Sequence, residues 1–171
     1  VVMSLPGVTS VSEASTGFNV RGGSADQNLV LFNDATIYNP SHLFGFFSAF
    51  NAESVKSVEL YKSSIPSKYG GRLASVLDIA GREGNNKEWK GSAGISMLTG
   101  KFSVEGPIVK DKTSILFSAR ATYSDWLLRQ IQNPSYNNST ASFADADLHL
   151  NHSINDRNKI SLTVYGSQDA F

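Results

Sequence analysis

Two stretches of the chain set a glycine doublet beside an arginine: Gly17-Phe18-Asn19-Val20-Arg21-Gly22-Gly23 and Lys68-Tyr69-Gly70-Gly71-Arg72. Glycine reaches positive φ without a Cβ penalty, so each doublet lets the backbone turn sharply or come close to another backbone. An arginine beside such a turn presents a planar fork of donors suited to a bidentate carboxylate. The chemistry expected of Arg21, Gly22, Gly23, Tyr69, Gly70, Gly71 and Arg72 is therefore docking against something acidic. Glu105 is the candidate partner, on a strand face shared with Lys101 and Ser103. The alternative is that both arginines are ordinary solvated charges.

Other groups are weaker candidates. Asp145, Asp147 and His149 project from one strand face, yet residues two apart on a strand lie ~7 Å from one another, long for sharing one ion. Polarity lining a lumen accounts for them better. The four phenylalanines Phe44, Phe46, Phe47 and Phe50 are expected in a core rather than on a ligand-stacking surface. The chain has no nucleophile elbow, P-loop or zincin spacing, and its three histidines are scattered. No catalysis, cofactor or metal is assigned.

These residues need elements to position them. Asn28 to Pro40 is an apolar run, an Asn33-Asp34 turn signal and a second short run, which predicts a β-hairpin because Asn and Asp tolerate left-handed backbone. Val55 to Tyr61 and Ser75 to Ile79 read as further strands. The fold expected from Gly17 to Ile79 is α+β: a small mixed sheet with short helices, and a core of Val20, Leu29, Leu31, Val58, Leu60, Val76 and Leu77.

Taken in order, Arg21-Gly22-Gly23, Asn28-Leu29-Val30-Leu31, Tyr38-Asn39-Pro40-Ser41-His42-Leu43-Phe44-Gly45-Phe46-Phe47-Ser48, Ser57-Val58-Glu59-Leu60-Tyr61-Lys62 and Lys68-Tyr69-Gly70-Gly71-Arg72-Leu73-Ala74-Ser75-Val76-Leu77-Asp78-Ile79 resemble the plug of TonB-dependent outer-membrane receptors. The Tyr38 to Asn51 wording resembles the branch common in Bacteroidetes-type bacteria. One departure is Asn33-Asp34, where such plugs carry Asp-Gly. The resemblance implies energised import of a nutrient across the outer membrane of a Gram-negative bacterium. The plug would gate a barrel of about 22 strands, and the TonB energy-coupling protein would pull through an N-terminal segment preceding this chain. Val1 to Val8 reads as the last turn of a helix stopped by Pro6-Gly7, so the start of the protein is expected to be missing.

Composition leaves this open. Fifteen basic and fifteen acidic residues cancel, which gives no electrostatic case for nucleic acid. There is no cysteine, hence no disulfide or thiolate metal site. No apolar run is long enough for a membrane helix, which says nothing of a β-barrel.

Beyond a polar stretch from Gly81 to Lys90 the texture changes to period two. Ile115, Phe117, Ala119, Ala121 and Tyr123 oppose Ser114, Ser118, Arg120, Thr122 and Ser124, with Leu116 out of pattern. Ala144 to Ile154 and Ile160 to Val164 alternate likewise. Gly91 to Val104 changes phase, which a bulge near Thr99-Gly100 would explain. Short turns alternate with the long Leu127 to Ser142 connection, as in an outer-membrane barrel. Trp89, Tyr123 and Trp126 are candidates for an aromatic girdle. The expected organisation is a plug domain over residues 1–84 and the first four barrel strands over 85–171. Four strands cannot close a barrel, so their edges are expected to pair with another copy or with the plug's sheet. The alternative is a soluble binding or adhesion module with a half-wet meander.

Overall fold

In the computed structural model the described residues are 8–10, 18–123 and 141–170. They fall into two units: those up to Phe50 together with Val55–Gly81, and Asn51–Ser54 together with those from Arg82 onward.

In the first unit β1 (Val8–Ser10) pairs antiparallel with β2 (Phe18–Val20). A four-stranded sheet follows, built from β3 (Asn28–Phe32), β4 (Ala35–Thr36), β7 (Val55–Tyr61) and β8 (Ser75–Gly81) in the order β4-β3-β8-β7. It is mixed, as expected: β3 and β8 run parallel, and the other pairs antiparallel. The β3–β4 turn has φ of 48° at Asn33 and 66° at Asp34. Both are positive, so this is a type I′ turn whose twist suits a hairpin, even without the usual glycine. Asn33 Oδ1 also accepts the Gly81 amide at 2.7 Å, which ties the turn to the end of β8.

Val30 and Phe32 face Leu77 and Ile79 across the parallel pair, and Val8, Phe18 and Val20 complete one buried cluster. Each such side chain contributes roughly 1.5 to 3 kcal/mol on full burial. One buried polar group ties three strands together. Asn28 donates through Nδ2 to the Phe18 carbonyl at 2.5 Å and accepts Ser75 Oγ at 2.7 Å, joining β2, β3 and β8.

Several expectations fail here. Among the described residues the helices are two single 3-10 turns, Ala25–Gln27 and Leu43–Gly45. Leu43 at φ 49° and Gly45 at φ 99° break the α path, so Ser41–His42 (β5) and Phe47–Ser48 (β6) close a small ribbon instead. Val58 stands opposite Ile79 but is 44% exposed, because β7 is an edge strand with nothing beyond it. Of the phenylalanines, Phe50 joins the core 5.5 Å from Phe32, whereas Phe46 is exposed. The expected helical turn before Val8 lies outside the described residues.

The second unit is an antiparallel meander of five strands, not four: β9 (Lys90–Ile95), β10 (Thr99–Val109), β11 (Thr113–Thr122), β12 (Ser142–Asn155) and β13 (Asn158–Ala170). Gly91 to Val104 holds a hairpin, closed by Ser96 N donating to Thr99 O at 2.8 Å. Ile95 pairs with Gly100, so same-face partners have opposite parity, and the apolar phase must flip across the turn. Its apolar tip, Met97-Leu98, carries no turn signal, which is why the flip reads as a bulge. The bulge in β10 sits instead between Pro107 and Val109. The tight Met97-Leu98 turn lies at the end of the sheet where β11 ends and β12 begins, so short turns are not confined to the opposite end. Strands β9 and β13 form the sheet's edges, and among the described residues the sheet does not continue into that of the first unit.

Candidate functional site

The five-stranded sheet buries the face that a water-soluble sheet would expose. Cross-strand register puts Ser103, Ser118 and Asp147 in one row, Lys101, Arg120 and Asp145 in the next, and Glu105, Leu116 and His149 in the row on the other side. Ser103, Ser118, Asp145, Asp147, His149 and Asn151 are all buried. Their polarity is satisfied along the rows. Ser92 and Ser103 hydroxyls lie 2.9 Å apart, Ser118 Oγ donates to Asp147 at 2.7 Å, and His149 Nε2 is 3.1 Å from the other Asp147 oxygen. Arg120 reaches Asp145 Oδ2 through Nε at 3.1 Å and Nη2 at 2.5 Å. Asp145, Asp147 and His149 are thus engaged with the sheet. Among the described residues no group of three or more His, Asp or Glu is placed to hold a metal ion.

The opposite face is apolar and open. Phe102, Ile160, Leu162 and Val164 are each about half exposed or more. Near one end Trp89 lies across Gly106, where an added Cβ would fall 2.1 Å from its ring. Near the other end Tyr123 pairs through its amide with Leu98 O and through its hydroxyl with Ser96 O. Leu98 and Gly106 are eight residues apart on the chain, which spans about 27 Å along a strand and about 20 Å in height if tilted. Trp126 lies outside the described residues.

A strap crosses the polar face. Glu83 O accepts Ser114 Oγ at 2.6 Å and Asn151 Nδ2 at 2.9 Å. Gly84, at φ 79°, approaches so closely that a Cβ there would sit 2.8 Å from Ile115 O. Arg82 is the hub of this strap. Its amide donates to Ser54 O at 2.7 Å, its Nη1 to Glu53 O at 2.8 Å, and its Nη2 to Glu105 Oε1 at 2.6 Å. Lys101 Nζ meets Glu53 Oε1 at 2.6 Å, and Lys159 pairs with Glu83. The strap therefore links Asn51–Ser54 to the sheet through contacts that are partly wet and can be remade.

Glu105 is held by Arg82 rather than by either expected arginine. Gly81-Arg82 repeats the glycine-arginine pattern of the other two stretches, and its position in a polar run makes it read as linker. Arg21, at φ 51°, and Gly22, at φ 80°, form a type I′ turn closed by Gly23 N to Val20 O at 2.9 Å. Gly23 lies against the segment following Arg72, since a Cβ on it would fall 2.6 Å from Ala74 Cβ. The two glycine stretches thus meet in the first unit. Arg72 Nη1 bonds the carbonyl of Gly71, itself at φ 83°, while Gly70 is open to solvent.

Tyr69 does not face outward with them. Its hydroxyl donates to Asp78 at 2.5 Å and its ring lies 5.3 Å from Tyr61, with Lys68 Nζ 4.4 Å above it. Tyr61 in turn donates to Glu59. That bond pushes the Tyr61 phenol up to about 12, and the bond to Asp78 raises Tyr69.

The family model for the TonB-dependent Receptor Plug Domain matches residues 1–76. No curated protein matches the chain.

Proposed function

We propose that this chain belongs to a TonB-dependent receptor of a Gram-negative outer membrane, imports a nutrient, and is not an enzyme. Residues up to about 84 are its plug, and the strands that follow open its barrel. The stretch similar to the plug family supports the first half. The second half rests on one observation: the sheet buries serine, aspartate, histidine and asparagine while presenting phenylalanine, isoleucine, leucine and valine to its surroundings. In water that arrangement leaves a row of large apolar side chains exposed together, the kind of surface that marks an interaction site. In a bilayer it is the expected one, with lipid outside and a polar lumen inside. The Trp89 and Tyr123 rings suit the two interfaces of an apolar band ~25 Å tall.

Five strands are too few to close, so they are part of a larger barrel. The TonB protein would act on the plug from the periplasmic side, and the plug would gate passage. The Arg82 strap is the contact set best suited to yield, because its ion pairs are short in reach, partly solvated and breakable without unfolding a strand. Arg21, Gly22, Gly23, Gly70, Gly71 and Arg72 stay with the proposal as plug loop residues that dock, and Tyr69 as their support.

The test is a charge placed on the apolar face. Leu162→Arg in the whole protein, folded into lipid vesicles, is expected to destabilise by roughly 2 to 4 kcal/mol if the site lies near the midplane. A half-exposed leucine in a water-soluble sheet would tolerate arginine within about 0.5 kcal/mol. A neutral result, with the protein recovered in the aqueous fraction, would sink the membrane reading.

A further inference from the structure

The first unit holds a cavity of about 300 Å³ to which the import reading gives no role. Its lining includes the apolar Phe18, Val30, Ile37 and Pro40, with Tyr38 beside them. Phe18 and Val30 belong to the buried core, so this wall is fixed. Tyr38 is 85% exposed, a ring standing free at the rim. Asp26 and Arg72 line the same cavity. Asp26 accepts a bond from Ser24, and Arg72 uses one guanidinium nitrogen on Gly71 O. Among the described residues these opposite charges form no ion pair with each other, although they share one cavity.

Two opposite charges held apart over an apolar wall are complementary to a molecule that carries both charges and an apolar body. The volume sits at the low end of small-molecule pockets, which excludes anything drug-sized or larger. The geometry points to a binding site for a small apolar zwitterion, of the class of a free aromatic or aliphatic α-amino acid or a dipeptide. Arg72 takes the ligand's carboxylate in its remaining donors. Asp26 takes the ammonium group, the side chain lies on Phe18, Val30 and Ile37, and Tyr38 covers it. This site does not depend on the chain's being a transporter, since binding is read on the protein alone.

The test is calorimetric titration of the full chain in detergent micelles with L-phenylalanine and with alanyl-phenylalanine. Both probes share the chemistry; tighter binding of the first assigns a free amino acid, and of the second a short peptide. Saturable binding of either is expected. N-acetylation, which removes the ammonium, and C-terminal amidation, which removes the carboxylate, should each weaken it about tenfold, the loss of one partly solvated charged contact. Arg72→Gln should weaken the parent ligand similarly and make amidation nearly without further effect. Asp26→Asn should do the same for N-acetylation. Both side chains are exposed, so the variants are expected to fold. Absence of saturable binding by either probe, or affinities that both variants leave unchanged, would overturn the assignment.

Discussion

Arg120 and Asp145 make the most buried arginine–carboxylate pair among the described residues, with 14% and 2% of their side chains exposed. Two guanidinium nitrogens converge on one carboxylate oxygen, and the guanidinium carbon lies 4.9 Å from the Phe143 ring centre. Arg120→Ala removes both donors and leaves a buried carboxylate. Severing a buried pair from one side costs about 3 to 5 kcal/mol. The lower end applies here, about 3 kcal/mol, because Arg120 is itself partly exposed and water can follow it into the vacated space. Arg120→Lys keeps the charge but loses the fork, and should cost about half as much. Replacing both partners, Arg120→Met with Asp145→Leu, removes the desolvation penalty along with the attraction and should return stability to within about 1 kcal/mol of the parent. Denaturant unfolding of the protein in lipid-detergent micelles, followed by tryptophan fluorescence, reads all three, provided the slope with denaturant stays constant. The reasoning fails if Arg120→Ala lies within about 0.5 kcal/mol of the parent, or if the double variant loses as much as the two single losses added.

At the strap, Arg82→Gln and Glu105→Gln should each cost about 1 kcal/mol, since Arg82 is 38% exposed, and together less than their sum, because both remove one contact. Lys101→Ala should cost less than about 0.5 kcal/mol, its side chain being about half exposed; equal losses at Arg82 and Lys101 would show that Arg82 is not the hub. In the first unit, Tyr61 should titrate near 12, and Glu59→Gln should bring it down toward its ordinary value of 10.0. The folded chain then keeps this proton longer than the unfolded one, so the contribution is fully present below pH 10 and is lost as pH rises through about 12. Phenolate absorbance of the parent and of Tyr61→Phe measures it, and ordinary titration of Tyr61 would rule out the Glu59 bond.

Much of the first unit is legible from local chemistry. Asn33-Asp34 announces a positive-φ turn, and the apolar runs around it become the paired strands β3 and β8. What local chemistry cannot supply is lateral position in the sheet. Val58 has the right residue type and the right face, yet β7 ends the sheet and leaves it exposed. The same blindness affects Arg82. Its neighbours are polar and its glycine is ordinary, and only the return of the chain over the sheet brings Glu105 and the Glu53 carbonyl within reach. Arg21 and Arg72 carry the stronger sequence signal because their glycine doublets are conspicuous. Positive φ at Arg21, Gly22 and Gly71 accounts for those doublets locally, without any partner.

Alternation in the second unit poses a different problem, since a period of two says that the faces differ without saying which of them meets protein. Ser118 and Phe117 are equally good markers of a strand. Only the burial of the one, with Asp147 bonded to it, and the partial exposure of the other assign the solvent. Leu116 sharpens this. It breaks the apolar phase, yet it is buried to 1% on the polar face, in register with Glu105 and His149 and touched by the strap at Gly84. An apolar residue on the polar face is therefore a packing point for the segment that crosses it. If the outer face of the sheet belongs to lipid, as proposed, such an exception marks where the chain itself, rather than water, covers the lumen side.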